Sequence, residues 1–114
     1  MKPIAVALSI VLFPIGLSAQ TATTTVAATG GDITITAIQH GSVQIEHAGK
    51  VIQVDPAQGD FSTAKQADLV LVTDIHGDHL NPAIIAKVRK AGAPVVMPAA
   101  AQSQAGAATP PPTR

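Results

Sequence analysis

Six consecutive positions, Asp74 to His79 in the stretch TDIHGDHL, hold two aspartates and two histidines, in a chain of 114 residues with only 12% charged residues. Carboxylate and neutral imidazole together suit a divalent cation such as Zn²⁺, Mn²⁺ or Fe²⁺. A cation also resolves the repulsion that gathering these groups would otherwise create. A bound ion would lower the pKa of a coordinated water toward about 7, which is chemistry for hydrolysing an ester, lactone, amide or phosphoester. Cysteine is absent, so the donors are nitrogen and oxygen only, and no disulfide staples the chain.

The elements around the cluster suggest how it is positioned. Ahead of it, ADLVLVTD carries an unbroken apolar run, Leu69 to Val72, as in a strand covered on both faces. After it, Asn81 is a good N-cap and Pro82 fits the first helical position. Ile84, Ile85 and Val88 give that helix one apolar stripe, with Lys87, Arg89 and Lys90 toward its end, Gly92 ending it and Pro94 preventing its resumption. The cluster is then the corner between strand and helix, at a carboxyl end of the kind where layered α/β proteins bind ligands. Asp74 and His76, two apart, share a face on extended backbone. Gly77 lets the chain turn, and Asp78 and His79 can re-enter the same pocket.

Further upstream, three runs read as strands: Ile33 to His40, Ser42 to Ala48 and Lys50 to Asp55, separated by Gly41 and Gly49. The second and third form a hairpin through a short glycine turn, and the first and second join tightly through His40 and Gly41. Alternation in the second run places Val43 and Ile45 inward, and Gln44 and Glu46 outward. Pro56 to Gln66 is a loop, and PVVMPA a short last strand.

The ends read differently. Residues 1–19 open with Lys2, continue in an apolar run from Ile4 to Leu17 and finish in small residues, the pattern of a secretory signal peptide cut after Ala19. The run is shorter than the roughly 20 residues of a membrane span, and Pro14 interrupts it. A periplasmic or secreted protein is expected, with no membrane contact after cleavage. Residues 20–32 read as a linker, 33–100 as the domain and 101–114 as a disordered tail ending in three consecutive prolines. Without Lys2 the chain has six basic residues against seven acidic, and its only aromatics are Phe13 and Phe61. Nucleic acid is not an expected partner; a small-molecule substrate is.

TDIHGDHL after ADLVLV resembles the metal motif of the metallo-β-lactamase superfamily, His-x-His-x-Asp-His, and QHGSVQIEHAGKVIQVDP resembles that superfamily's opening strands. The likeness runs over about Ile33 to Ala100 and is nearest to the ascorbate-6-phosphate-lactonase-like branch, exported members included. It implies an α/β (α+β) fold, the first half of an αββα sandwich, with mostly antiparallel strands and one helix. It implies metal ligands at Asp74, His76, Asp78 and His79 for one or two ions, Zn²⁺ first, with Mn²⁺ and Fe²⁺ as the other choices. Asp78 would also orient the attacking water, as the catalytic residue, and no separate cofactor-binding residue is implied. Asp74 stands where the family has histidine, which favours a harder ion or a weaker first site. Asp55 matches an acid that supports the site.

The family's remaining ligands come from a second half, and no histidine follows His79 here. The resemblance therefore implies a truncated chain, and hydrolase ancestry more firmly than hydrolase activity; the alternative is a non-catalytic exported metal-binding or interaction module. Half a sandwich would also leave a sheet face uncovered and open to self-association. The structural alternative for the cluster is a polar loop capping a helix. His40 would more often bond a neighbouring backbone than join a site, His47 faces solvent, and Ser42 has no acid-base partner that would make it a nucleophile.

Overall fold

A computed structural model describes residues 21–105. The signal-peptide reading of residues 1–19 and the last part of the tail reading lie outside them. In chain order the elements are β1 (Ala22–Val26), β2 (Ile33–Gln39), β3 (Ser42–His47), β4 (Lys50–Val54), β5 (Leu69–Leu71), α1 (Pro82–Val88), β6 (Val95–Val96) and α2 (Ala99–Ala105). The strands form one six-stranded sheet in sequence order. β1 to β4 pair antiparallel, while β5 and β6 add in parallel. This is a mixed α+β fold, as expected, with a second helix.

Two stretches are more ordered than the sequence suggested. The segment read as a linker holds β1, whose Thr23, Thr24 and Thr25 pair with Thr36, Ile35 and Thr34. Threonine is a good strand former, and its alternation with β2 is satisfied only by pairing. The start of the segment read as a tail forms α2, which buries Ala101 and Ala105 against Val70, Val72, Val95 and Ile85. Alanine has the highest helix propensity, and here a ready-made apolar surface supplies the packing that a seven-residue helix lacks alone.

The tight turns follow their local chemistry. Ala48 and Gly49 both have positive φ, 47° and 76°, matching the primed two-residue turn of a hairpin, and His47 pairs with Lys50 across it. Asn81 caps α1 by accepting from Ala83 N at 3.2 Å and Ile84 N at 3.3 Å. The helix ends at Val88, before Gly92, because Ala67 N takes the Val88 carbonyl at 2.7 Å and Lys90 N returns to the Ala67 carbonyl at 3.0 Å.

The covered face of the sheet is opposite to the one expected from β3. Ser42 and Gln44 are buried, whereas Val43 and Ile45 are half-buried. On the covered side Gln53, fully buried, donates to Gln44 Oε1 at 2.7 Å and to the Lys65 carbonyl at 3.1 Å, and Lys65 N donates to Gln44 Oε1 at 2.9 Å. These amides tie the 56–66 loop onto the sheet, so their polarity is satisfied inside. Glu46, expected to be solvated, lies on the same side and pairs with Lys65 at 2.5 Å. Further aliphatic residues, half-buried or exposed, occupy the other face in two rows. One runs Ile35, Ile45, Ile52, Leu69; the next runs Ala37, Val43, Val54, Leu71, Val96.

Candidate metal centre

β5 is the central parallel strand next to β4, and both end at the same edge of the sheet. Asp55 follows β4 and Thr73 follows β5, so the two ends meet. Asp55 N donates to the Leu71 carbonyl at 2.8 Å, and the Asp55 carboxylate accepts from Thr73 N at 2.7 Å and Thr73 Oγ1 at 2.6 Å. Asp55 has φ of 45° and is 3% exposed. Aspartate tolerates this left-handed conformation better than most residues. Fully buried Ser42 holds the same residue from behind, donating from Oγ to the Asp55 carbonyl at 2.5 Å. Ser42 thus has a positioning role that its place in the sequence did not signal.

Beyond Thr73 the chain makes the expected corner. The His76 carbonyl accepts from His79 N and Leu80 N, both at 2.9 Å, closing a tight turn around Gly77. That turn brings His79 back to Asp55, with Nδ1 2.8 Å from Asp55 Oδ2. Gly41, in the β2–β3 turn, passes beside this contact. A β-carbon there would stand 3.4 Å from His79 Cε1 and 3.5 Å from Asp55 Oδ2.

The four clustered residues fall into two pairs. Asp74 Oδ1 accepts from Ile75 N at 2.6 Å and lies 3.0 Å from His76 Nδ1. His79 Nε2 faces Asp78 Oδ2 at 3.5 Å. Among the described residues no three histidine, aspartate or glutamate side chains gather to hold one ion. The expected four-ligand convergence on one point is therefore not formed in this conformation. The physical reason is that Asp74 is drawn to its own neighbours, Ile75 N and His76, in preference to the pocket.

The arrangement fits half of a metal site. A carboxylate bonded to one imidazole nitrogen fixes the tautomer and leaves the other nitrogen as a lone-pair donor, the usual support of a metal-ligating histidine. With Nδ1 donating to Asp55, Nε2 of His79 is that donor. Ligands at about 2.1 Å in a tetrahedron stand about 3.4 Å apart, close to the His79–Asp78 separation. The Asp55 hydrogen bond raises the pKa of His79 above 6.5, with the charges of Asp55, Asp78 and Asp74 adding to it. The hydrogen bond from His76, then that from Ile75 N, lowers the pKa of Asp74.

The other histidines are separate. His40 has φ of 49° in the turn beside Gly41 and is exposed. His47, expected to face solvent, is half-buried, with Nε2 3.1 Å from the Thr29 carbonyl. Thr73, Ser42 and Gly41 all support the site without having been expected to. Thr73 alone carried a signal, as a hydroxyl closing the strand before the cluster.

With the geometry in place, comparison with known proteins gives a consistent result. Residues 34–108 match the model of a β-lactamase superfamily domain, and the chain belongs to that superfamily. The crystal structure of a Parabacteroides distasonis protein, classed provisionally as a metal-dependent hydrolase, is similar, with a TM-score of 0.70 and 32% identity over 79% of this chain. The chain spans 42% of that protein's length. A search of curated proteins gives no match.

Proposed function

We propose that this chain is the metal-holding N-terminal part of a hydrolase that cleaves a small ester, lactone or phosphoester. One observation carries the reading: His79 stands between two carboxylates, with Nδ1 2.8 Å from Asp55 Oδ2 and Nε2 3.5 Å from Asp78 Oδ2. His79 and Asp78 would hold a divalent ion, Zn²⁺ first, with Mn²⁺ or Fe²⁺ as the other choices. Asp74 and His76 are further donors; the His76 side chain is 73% exposed and can turn from Asp74 toward the pocket. The ion would supply Lewis acidity and a water of lowered pKa.

The chain's own groups do the rest. Asp55 keeps His79 in one tautomer, and Ser42 and Thr73 keep Asp55 in place. Asp78 has a second oxygen to accept a proton from the attacking water and orient it. Export to the periplasm or medium rests on the N-terminal sequence pattern. Family membership supports the hydrolase class, and a metal-dependent name for a 32% identical protein supports the ion.

The test is metal content of the purified chain, followed by hydrolysis of chromogenic lactone and phosphodiester substrates with and without chelator. Near-stoichiometric metal that His79→Ala removes, and turnover that chelator abolishes, are expected. A metal-free protein, or turnover that survives chelation, would overturn the proposal. The pairing of Asp74 with His76 favours a second reading, a non-catalytic exported metal-binding or interaction module. Metal binding without turnover on any substrate would select it.

A further inference from the structure

The loop that follows Asp55 closes back on the strand that leads into the site. Ser42 Oγ donates to the Asp55 carbonyl at 2.5 Å and accepts from Ala57 N at 3.4 Å and Gln58 N at 3.5 Å, so the chain from Asp55 to Gln58 wraps around one buried hydroxyl. Pro56 and Ala57 are buried with it. The next residue, Gly59, lies against β2. There β2 carries a bulge: Ala37 pairs with Val43 and Gln39 with Ser42, which leaves Ile38 as the extra residue. A bulge re-aims its side chain, and that of Ile38 meets Gly59. A β-carbon at position 59 would stand 2.8 Å from Ile38 Cγ2 and 3.0 Å from Gln39 Cβ. Directly after Gln39, His40 and Gly41 make the turn that passes beside Asp55 and His79.

We propose that Gly59 is a positioning residue for the metal centre: the side chain it lacks lets the 56–66 loop seat on the β2 bulge, which holds Asp55 and the His40–Gly41 turn together around His79. The inference rests on the metal-holding role given to His79 above. Non-bonded carbon atoms meet at about 3.5–4.0 Å, so an added methyl pushes loop and strand apart by on the order of 1 Å. Neither obstacle is the free end of a flexible chain: Ile38 Cγ2 branches at Cβ, and Gln39 Cβ is fixed to the backbone. Gly59 also has φ of 112°, which L side chains rarely adopt. Among the described glycines, Gly59 alone joins a positive φ to so close an approach; Gly49 and Gly92 have positive φ with nothing within 4 Å, and Gly41 has ordinary clearance. The bonds from Ala57 and Gln58 to Ser42, at 3.4 and 3.5 Å, are already at the limit of a hydrogen bond. A retreat at Gly59 therefore passes back to Asp55 and to its 2.8 Å contact with His79.

NMR of the metal-free chain, at a pH where His79 is neutral, tests this without any ion. In wild type the imidazole ¹⁵N shifts of His79 should report one tautomer, protonated at Nδ1, and the Thr73 amide should be protected from exchange, because both are bonded to Asp55. Gly59→Ala, Gly49→Ala and Gly92→Ala each force a β-carbon onto positive φ and should each lower the urea midpoint. Only Gly59→Ala should also mix the His79 tautomers and expose the Thr73 amide, and only it should weaken Zn²⁺ binding measured by calorimetry, by about 10-fold. Ile38→Leu, which removes the Cγ2 methyl and keeps the apolar bulk, should move the Gly59→Ala chain back toward wild type. Because Gly59→Ala could instead unfold the chain, Ile38→Ala loosens the same contact from the other side. In a folded chain it should speed exchange of the Thr73 amide several-fold.

An unchanged His79 tautomer and Thr73 protection in folded Gly59→Ala would overturn the inference. So would equal changes in Gly49→Ala or Gly92→Ala, which would mark a general loss of stability, a Gly59→Ala chain that Ile38→Leu leaves unimproved, or folded Ile38→Ala with wild-type exchange. Zn²⁺ affinity that stays at the wild-type value in Gly59→Ala would overturn it and leave the metal reading standing. A wild-type chain that binds no Zn²⁺, yet mixes the His79 tautomers when position 59 is changed, would end the metal reading and keep Gly59 as the residue that positions His79 against Asp55.

Discussion

Asp55 and His79 are 24 residues apart in the chain, yet their side chains meet at 2.8 Å between Oδ2 and Nδ1. One residue closes β4, and the other enters from the turn before α1. The contact exists because β4 and β5 end together and Thr73 is bonded to the same carboxylate.

Asp55→Asn tests the contact with little change of shape, since asparagine also tolerates positive φ. The amide cannot accept from Thr73 and His79 as an ionised carboxylate does. Zn²⁺ affinity measured by calorimetry should fall by about 10- to 100-fold, the usual effect of losing such support. Urea unfolding should show a loss of about 1–3 kcal/mol from the buried bonds left unmade. An affinity equal to wild type would mean that His79 is not a ligand.

The pH behaviour of the apo-protein follows from the same pair. His79 has its folded pKa raised above 6.5, chiefly by Asp55. Its contribution to stability is full below the unfolded value and is lost as pH rises through the folded value. For Asp74, lowered from 3.8 chiefly by the His76 hydrogen bond, the sign is reversed. Its contribution is present above the unfolded value and is lost as pH falls through the folded one. Imidazole NMR should place the His79 midpoint above 6.5 in wild type and lower in Asp55→Asn. Because a proton and an ion compete for Nε2, metal affinity should weaken as pH falls through that midpoint. A His79 midpoint at or below 6.5 would contradict the Asp55 assignment.

Gly41 sets the clearance over His79. A single added methyl meets the His79 ring at ordinary contact distance, 3.4 Å, and the φ of Gly41 is not in the left-handed region. Gly41→Ala should therefore keep stability within about 1 kcal/mol and retain metal binding. Gly41→Val adds two more carbons against the ring and should weaken metal binding more than it lowers the urea midpoint. Equal effects from the two variants would show that the turn does not shape the site.

Asn81 holds the far side of the corner. Asn81→Ala removes two bonds to the first turn of α1 and should cost about 1 kcal/mol, read by urea unfolding. Asn81→Asp and Asn81→Ser should recover most of that loss. A cost well under half of this would mean that packing of Ile85 and Val88 alone starts the helix.

How much of this was legible in the sequence depended on distance along the chain. The corner at Asp74 to His79, the Asn81-Pro82 helix start and the Ala48-Gly49 turn are local matters of φ and of nearby hydrogen bonds, and their residues announce them. So did the motif that resembled the β-lactamase superfamily. β1 was missed because a threonine strand has no apolar face to betray it, and α2 because an alanine run becomes a helix only on a surface prepared elsewhere. The inward side of β3 was misassigned because alternation gives a period and leaves open which face the helices cover.

The sequence by itself therefore determined which donors exist, that none is a thiolate, and that they lie at a strand-to-helix corner. Only the tertiary structure decided which of them meet. It put Asp55 behind His79, paired Asp74 with His76 and turned the aliphatic rows outward. The reason is that strand pairing sets positions across the sheet through hydrogen bonds between residues far apart in sequence, and no local propensity carries that information.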